Sequence, residues 1–464
     1  MSQQPSLNSN ARWALTSLCL SMLMPSLDTS IANAGLPTLA AAFDASFQSV
    51  QWIVLAYLLA VTTLIVSVGR LGDLLGRRRL LLIGIGIFTV ASLACAVAAE
   101  LPWLIAARAV QGLGAAIMLA LTMALVGGAV PKERAGSAMG LLGTMSAIGT
   151  TLGPSLGGVL IALVGWQWMF LINVPLGLLN GWLVYRYLPK DQTRGSRVRF
   201  DHVGTLVLAV TLAAYALAMT SRESSAFTLA LLLVSVCGGG LFIYIERSVA
   251  APLIRLSLFA EPRLSASLAM SALVATVMMT TLVVGPFYLS RGLGLSAGVV
   301  GLTLSVGPLV AAFGGVPAGR LVDRFGAQRM MRGGLLGMVG GCGSLALLPM
   351  GFGVFGYLLP IALLTASYAL FQAGNNTGLM AGVGQDQRGV VSALLGLSRN
   401  LGLITGAAAM GMVFAGATGD PTQAPAEMIG RGLHMTFGVA AGLMIVALWL
   451  SRVEIKGWLG VSSR

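Results

Sequence analysis

Long apolar runs, separated by short stretches that hold charged residues, glycine or proline, occupy most of the chain. A run of about 17–25 apolar residues is long enough to cross a bilayer as a helix. This criterion predicts fourteen spans. They are Trp13–Ala34, Val50–Val68, Leu80–Ala99, Leu104–Val126, Gly136–Leu163, Trp168–Leu188, Val203–Thr220, Ala226–Ile245, Leu264–Leu289, Ala297–Ala318, Met331–Met350, Phe355–Gly378, Val390–Gly416 and Gly432–Leu450.

The positive charges alternate between the two sides of these spans. Cytoplasmic loops of membrane proteins carry an excess of Lys and Arg. With the N-terminus placed in the cytoplasm, 23 of the 28 Lys and Arg residues fall in cytoplasmic segments, and the outer loops hold only Arg222, Arg291 and Arg431. Omitting one span would destroy this alternation. The sequence therefore predicts an even number of spans with both termini in the cytoplasm.

Composition narrows the class further. Of the 464 residues, 56% are hydrophobic and 9% are charged, against about 25% charged in soluble proteins, and the mean hydropathy is +0.88. These values exclude a water-soluble enzyme. The net charge of +13 lies in short separate clusters rather than in a basic stripe, so we attribute it to membrane topology and not to nucleic-acid binding. The predicted fold class is an all-α integral membrane protein.

An internal repeat divides the chain. The segment Gly69–Arg79 reads GRLGDLLGRRR and the segment Gly319–Arg329 reads GRLVDRFGAQR, with matches at identical spacing and an offset of 250 residues. Six spans with short loops need only about 200 residues, so two additional helices are expected between two similar halves. The predicted organisation is a six-helix half in residues 1–190, two inserted helices in 191–263 and a second half in 264–464. Such repeats are typical of transporters that bind substrate between the halves. The alternative is two loops that merely share a tight basic turn.

Asp28 is the acidic residue that lies deepest in a predicted span. An ionised carboxylate there costs about 2.5–3.5 kcal/mol on insertion scales, so it needs compensation. At 1.5 Å per residue, Asp28 in span 1 and Arg108 in span 4 both lie about 6–9 Å below the outer surface, which permits a direct or water-mediated pair. We interpret Asp28 as a protonatable coupling group, and the alternative is a fixed structural ion pair.

Scattered polar and aromatic residues on the predicted spans are candidates for lining a substrate cavity. The alternative role for any one of them is a hydrogen bond between helices, which is worth about 0.6 kcal/mol. The candidates are Asn33, Gln51, Trp52, Tyr57, Gln111, Tyr368, Phe371, Gln372, Asn375 and Asn400.

Span 5 contains GTTLGPSLGG, from Gly149 to Gly158. Gly149 and Gly153 lie four residues apart and allow a neighbouring helix to approach closely, whereas Pro154 removes a backbone hydrogen bond and permits a bend. We expect a hinge or a seal between the halves, with simple helix packing as the alternative.

Several motifs together resemble the major facilitator superfamily, and specifically its fourteen-span drug:proton antiporters. The resemblance covers most of the chain. The motifs are Leu27–Pro37 in span 1, Gly69–Arg79 in the loop, Arg108 with Gln111 and Gly112 in span 4, Gly149–Gly158 in span 5, Trp166–Gly177, Phe200–Gly204 and Pro252–Phe259.

The resemblance implies roles for individual residues. Asp28 would take part in proton or cationic-drug binding and Arg108 in proton transfer. Asp73 would make a gating contact between the halves. Five further residues are candidates for a role in gating or conformational change. These are Arg77, Gly149, Gly153, Pro154 and Asp323.

The resulting hypothesis is a proton-coupled antiporter that exports small amphipathic or cationic compounds from the bacterial cytoplasm by alternating access. It uses the proton gradient without a cofactor or a metal, it contacts membrane lipids but no nucleic acid, and it works as a monomer. Span 13 has no carboxylate, unlike some relatives that export dications, so dications are expected to be poor substrates. The alternatives are a proton-coupled uptake symporter for a small nutrient and a lipid-handling or sensory membrane protein without proton coupling.

Overall fold

The structure, a computed structural model, describes residues 9–129, 135–189, 191, 202–220, 225–249, 261–381 and 388–461. Across these ranges the chain is helical, and 14 helices are long and apolar enough to cross a membrane. The predicted all-α membrane fold with fourteen spans is therefore confirmed.

The helices follow one another with short connections. In the first part of the chain they are α1 (Ser9–Ala34), α2 (Leu36–Ala42), α3 (Phe47–Leu75), α4 (Arg77–Ala96), α5 (Leu101–Ala129), α6 (Ala135–Val164), α7 (Trp168–Leu171) and α8 (Asn173–Tyr187). The next two are α9 (His202–Thr220) and α10 (Ser225–Ser248). The remaining helices are α11 (Pro262–Phe287), α12 (Ala297–Phe325), α13 (Ala327–Leu347), α14 (Gly353–Ala381), α15 (Arg388–Thr405), α16 (Gly411–Thr418) and α17 (Ala426–Val461).

Three spans are less regular than the sequence pattern predicts, and one of them is span 9, which ends in a π-helical turn over Tyr288–Gly292. Span 6 is interrupted at Ile172, between α7 and α8, where Pro175 cannot supply the amide that would bond to the Leu171 carbonyl. Span 13 consists of α15, a π-helical turn over Gly406–Met410 and α16. Hydrophobicity marks the depth of a span but does not reveal such local changes of hydrogen bonding, which explains why the predicted spans were continuous.

Helix packing within spans 1–6 recurs within spans 9–14. In the first group, α1 packs on α6 and α8, α5 packs on α3 and α4, and α4 packs on α8. The equivalent helices of the second group make the same pairs, with α11 against α15 and α17, α14 against α12 and α13, and α13 against α17. This is the pattern that an internal repeat requires.

The two additional helices pack differently from each other. Helix α9 contacts α3 and the π-helical turn of span 13, so it lies beside both groups of six spans. Helix α10 packs mainly on α9, and only 6% of its most apolar window is buried. We infer that α10 presents most of its surface to lipid. Its last turn includes the buried Glu246, because the helix continues past the predicted end at Ile245.

Candidate functional site

A fully buried hydrogen-bond network joins spans 1, 4 and 6 around Asp28. Nη1 of Arg108 donates to Oδ2 of Asp28 at 2.5 Å, and both side chains have 0% exposure. Nε2 of Gln111 and Nδ2 of Asn173 donate to Oδ1 of Asp28 at 2.8 and 2.7 Å. Three donors thus offset the cost of burying one carboxylate, as a buried ion pair requires.

Arg108 has additional partners that carry no formal charge. Its Nε donates to the Ile53 carbonyl at 3.1 Å, and its Nη1 also donates to Oε1 of Gln111 at 2.5 Å. The guanidinium carbon lies 4.4 Å from the ring centre of Tyr57 and 5.7 Å from that of Phe170. A guanidinium over an aromatic face is stabilised by the ring. Arg108 therefore keeps favourable contacts even when Asp28 loses its charge.

Local helix geometry explains how these groups meet. Arg108 and Gln111 are three residues apart on α5 and share a face. Gln111 also donates to Oγ of Ser92 on α4, at 2.8 Å. Asn173 is the first residue of α8, directly after the interruption of span 6.

Sequence reasoning missed Ser92 and Asn173. The depth argument that paired Asp28 with Arg108 also finds Asn173, which lies five residues, or about 8 Å, from the predicted outer start of span 6. Ser92 lies within an apolar run as a small polar residue, and nothing in its spacing distinguishes it from an ordinary helix-packing serine.

The predicted cavity residues do not form one cluster. Tyr57 and Gln111 contact the Asp28–Arg108 pair. Gln51 donates to the Ala407 carbonyl at 2.8 Å, in the π-helical turn of span 13. Trp52 donates through Nε1 to the hydroxyl of Thr220 on α9 at 3.0 Å.

The other candidates lie elsewhere in the bundle. Oδ1 of Asn375 accepts a hydrogen bond from Ser267 at 2.7 Å. Asn33 is 1% exposed, and neither polar atom of its side chain has a hydrogen-bond partner. An unsatisfied buried amide costs about 1–3 kcal/mol, so Asn33 has capacity to receive a ligand, as does Oε1 of Gln51, which also lacks a partner. Phe371 and Asn400 are buried, and Tyr368 and Gln372 are half-buried.

Pro154 forms a three-helix joint. Because proline has no amide hydrogen, the Thr150 carbonyl lacks its helical partner. Oγ of Ser30 on α1 donates to that carbonyl at 2.8 Å. On the opposite side, the amide of Ser155 donates to Oγ of Ser305 on α12 at 3.0 Å. The interrupted turn of α6 is thus hydrogen-bonded both to the helix of Asp28 and to the second group of spans.

Glycines allow the backbones at this joint to touch. A Cβ on Gly149 would lie 2.7 Å from the Leu23 carbonyl, and a Cβ on Gly153 would lie 3.0 Å from the Ile31 amide, so these two glycines face α1. A Cβ on Gly301 of α12 would overlap the Pro154 carbonyl. The contact between the two groups of spans therefore involves Pro154 and Gly301.

Three of the gating candidates, Asp73, Arg77 and Asp323, belong to the repeated loop segments. The side chain of Asp73 lies outside the described residues, whereas Arg77 and Asp323 are exposed at helix ends. Within the described ranges, no group of three or more His, Cys, Asp or Glu residues could hold a metal ion.

An aromatic cluster joins the two groups of spans at the end of the bundle opposite the Gly69–Arg79 segment. Phe47 of α3 is fully buried, with its ring centre 4.9 Å from that of Phe287 and 5.5 Å from that of Phe414. Both pairs have the edge-on geometry that aromatic rings favour. Spans 2, 9 and 13 are packed together at this end.

Comparison with known proteins identifies the family. The model of the Major Facilitator Superfamily matches residues 18–407. The chain belongs to the major facilitator superfamily. It is a transporter and not an enzyme, and it spans the membrane several times.

Curated relatives of this superfamily member cover most of its length. The "uncharacterized transporter YebQ" of Escherichia coli is 32% identical over 95% of each chain. The "riboflavin transporter RibZ" of Clostridioides difficile is 29% identical over 87% of this chain and 88% of that protein. The "multidrug resistance protein Stp" of Mycobacterium tuberculosis is 32% identical over 85% of this chain and 74% of that protein.

Solved structures share the superfamily fold. A bacterial homologue of the human lysosomal transporter Spinster, in an inward-facing and unoccupied conformation, superposes with a TM-score of 0.71 at 15% identity and covers 97% of this chain and 99% of its own. A D-xylose–proton symporter gives a TM-score of 0.71 at 16% identity, with the same coverage.

Proposed function

We propose that this transporter exports small lipophilic or monovalent cationic compounds across the bacterial cytoplasmic membrane in exchange for protons. The observation that carries the proposal is the buried network of Asp28, Arg108, Gln111 and Asn173. It contains a carboxylate that can bind a proton, placed deep in the bundle beside a cation that has other partners.

Protonation of Asp28 is the proposed coupling step. A proton on Oδ2 neutralises the carboxylate and removes its attraction for Nη1 of Arg108. Arg108 stays charged, because the Ile53 carbonyl, Oε1 of Gln111 and the Tyr57 ring still hold it. The charged link between span 1 and span 4 is then lost, and the hydrogen bond from Gln111 to Oδ1 of Asp28 is the weaker link that remains.

The Pro154 joint transmits this release to the second half. Ser30 follows Asp28 by two residues on α1 and bonds to the interrupted turn of α6. The same turn bonds to Ser305 of α12. A movement of α1 that accompanies protonation is thus passed to the contact between residues 1–190 and 264–464, which supports alternating access. The transmembrane proton gradient supplies the energy, and no nucleotide is required.

The relatives support two substrate classes. Stp is named a multidrug resistance protein, which favours export of diverse compounds. RibZ is named a riboflavin transporter, which favours a single nutrient and leaves uptake by symport as the second candidate. The direction of substrate flux relative to proton flux separates the two.

The deciding experiment uses everted membrane vesicles with an imposed pH gradient, acidic inside, and a fluorescent monovalent cation. Wild type is expected to accumulate the cation and to release protons when substrate is added. Asp28→Asn should abolish gradient-driven accumulation. Asp44→Asn, which changes an exposed carboxylate at a position of positive φ that asparagine tolerates, is the matched control and should behave as wild type.

Two outcomes would contradict the proposal. Proton and substrate moving in the same direction would indicate the symporter. Absence of substrate-induced proton release, with transport unaffected by Asp28→Asn, would indicate a lipid-handling or sensory protein without proton coupling.

A further inference from the structure

A basic pocket lies between α4 and α8, away from the buried network. Its volume is about 470 Å³, and it is lined by Arg78, Arg79 and Arg186 together with Tyr185 and Asp191. The positive-inside rule places this end of both helices at the cytoplasmic surface. The pocket therefore opens at the depth of lipid headgroups.

The acidic residue in the pocket organises the arginines rather than neutralising them. Oδ1 and Oδ2 of Asp191 accept the backbone amides of Arg78 and Arg79 at 2.9 and 3.1 Å, which caps the first turn of α4. The Arg78 side chain donates to the Tyr185 carbonyl and lies over the Tyr185 ring, with 5.6 Å between the guanidinium carbon and the ring centre. The lining of the pocket includes three arginines and one aspartate, so its formal net charge is +2. Its chemistry suits a phosphate.

An apolar groove begins one helical turn above this pocket. It has a volume of about 570 Å³ between α4 and α5, and all the residues that line it are apolar, including Ile83, Val90, Ala94 and Trp103. Arg79 shares a face of α4 with Ile83 and Val90, because they are spaced by four and seven residues. From Ile83 to Ala94 the groove extends about 16 Å, close to half of the roughly 30 Å hydrocarbon core.

We propose that this surface binds one anionic phospholipid, whose phosphate is held by Arg78, Arg79 and Arg186 and whose acyl chain lies in the groove. Basic pockets between membrane helices on the cytoplasmic side attract anionic headgroups, and guanidinium groups form strong charge-assisted hydrogen bonds to phosphate. A zwitterionic lipid offers the same acyl chain but no net negative charge. A free phosphate ion would occupy the pocket and leave the groove unused. The proposal is independent of the direction of transport.

The test measures lipid retention on the purified, delipidated full-length protein by native mass spectrometry. Phosphatidylglycerol and phosphatidylcholine with identical acyl chains are titrated separately, and inorganic phosphate is added as a competitor. We expect retention of phosphatidylglycerol over phosphatidylcholine and no competition from phosphate at equal concentration. Equal retention of the two lipids, or full displacement by inorganic phosphate, would overturn the proposal.

Variants locate the site. Each arginine near a charged lipid contributes about 1 kcal/mol, so Arg79→Gln combined with Arg186→Gln should weaken phosphatidylglycerol binding about 30-fold. Arg324→Gln combined with Arg329→Gln is the matched control, because it also removes two exposed arginines and Arg329 is the equivalent of Arg79 in the second copy of the repeat. An equal loss in the control would assign the effect to general surface charge and refute the site.

A groove variant tests the acyl chain separately. Gly86 lines the groove, and a Cβ placed on it meets no atom within 4 Å, so Gly86→Leu starts from open space and places its side chain in the groove. It leaves every arginine in place. We expect weaker retention of phosphatidylglycerol with unchanged thermal stability. Unaltered lipid retention in this variant would show that the acyl chain does not lie in the groove.

Discussion

Replacing Asp28 with asparagine tests whether the buried network is an ion pair that stabilises the bundle. Asparagine has the same shape, and its oxygen can still accept from Gln111 and Asn173. Its amide nitrogen, however, would face Nη1 of Arg108 in place of Oδ2, which lies 2.5 Å away in the native contact. Two donors would then oppose each other beside a buried charge.

The expected magnitude follows from what Arg108 retains. Removing one partner of a buried ion pair costs about 3–5 kcal/mol when the other charge is left uncompensated. Here the Ile53 carbonyl, Oε1 of Gln111 and the Tyr57 ring remain within contact distance. We therefore expect a loss of about 3 kcal/mol, at the lower end of that range.

A second substitution separates charge from shape. Removing both members of a buried ion pair leaves no uncompensated buried charge, which is the cause of the large loss when only one member is removed. Combining Asp28→Asn with Arg108→Gln should therefore recover most of the lost stability, although proton-driven transport stays abolished because no carboxylate remains at the site. Such a stable but uncoupled protein would assign the transport defect to proton coupling and not to misfolding.

The assay is thermal unfolding in detergent at several pH values, with transport measured in parallel in everted vesicles. Asp44→Asn controls for the loss of an exposed carboxylate and should leave the melting temperature unchanged. A melting temperature for Asp28→Asn equal to that of wild type would refute the structural role of the pair. A double variant as unstable as the sum of its two single variants would refute the proposed charge coupling.

Three further predictions address the joint, the aromatic cluster and the charge stoichiometry. Gly301→Ala should reduce transport into vesicles at least about tenfold, because the new methyl group would overlap the Pro154 carbonyl. Gly298→Ala on the same helix is the control and should leave transport unchanged, because a Cβ at Gly298 meets no atom within 4 Å. Phe47→Ala should destabilise the protein by about 3–5 kcal/mol, as measured by thermal unfolding. Phe313→Ala is the control and should cost less stability, because Phe313 is 76% exposed. Exchange of one proton for one monovalent cation moves no net charge across the membrane. Accumulation of such a substrate should therefore stop when the pH gradient is collapsed and continue when the membrane voltage is collapsed. A response to voltage would contradict a single coupling carboxylate.

The fold followed from sequence because its determinants act over long windows. The length of the apolar runs and the alternation of positive charge fixed fourteen spans, and the match between Gly69–Arg79 and Gly319–Arg329 predicted the recurrent packing. The interruption at Ile172 and the π-helical turn at Gly406–Met410 were not predictable in the same way, since each changes only one or two backbone hydrogen bonds.

The buried network was predictable where charge revealed it. Burying either Asp28 or Arg108 alone in a span is costly, and the two lie at equal depth, so each predicted the other as its partner. Ser92 and Asn173 carry no charge, so the cost of burial did not single them out, although Asn173 lies at a depth similar to that of the pair. Gln51 and Asn375 illustrate the reverse case, because their polarity suggested a cavity whereas their observed hydrogen bonds join helices.

The proline of span 5 connects the chemistry of the site to the movement that transport requires. A continuous α6 would satisfy its own amides and carbonyls and would interact with its neighbours only through side chains. By leaving the Thr150 carbonyl without a helical donor, Pro154 gives Ser30 an acceptor, and the amide of Ser155 finds Ser305 across the joint. Each such bond is worth only about 0.6 kcal/mol in a membrane bundle, far less than the about 3 kcal/mol expected for loss of the charge on Asp28. The hydrogen bonds of the joint are therefore weak enough to exchange partners when protonation of Asp28 removes the stronger interaction with Arg108. The protonation state of Asp28 then determines which arrangement these weaker hydrogen bonds adopt.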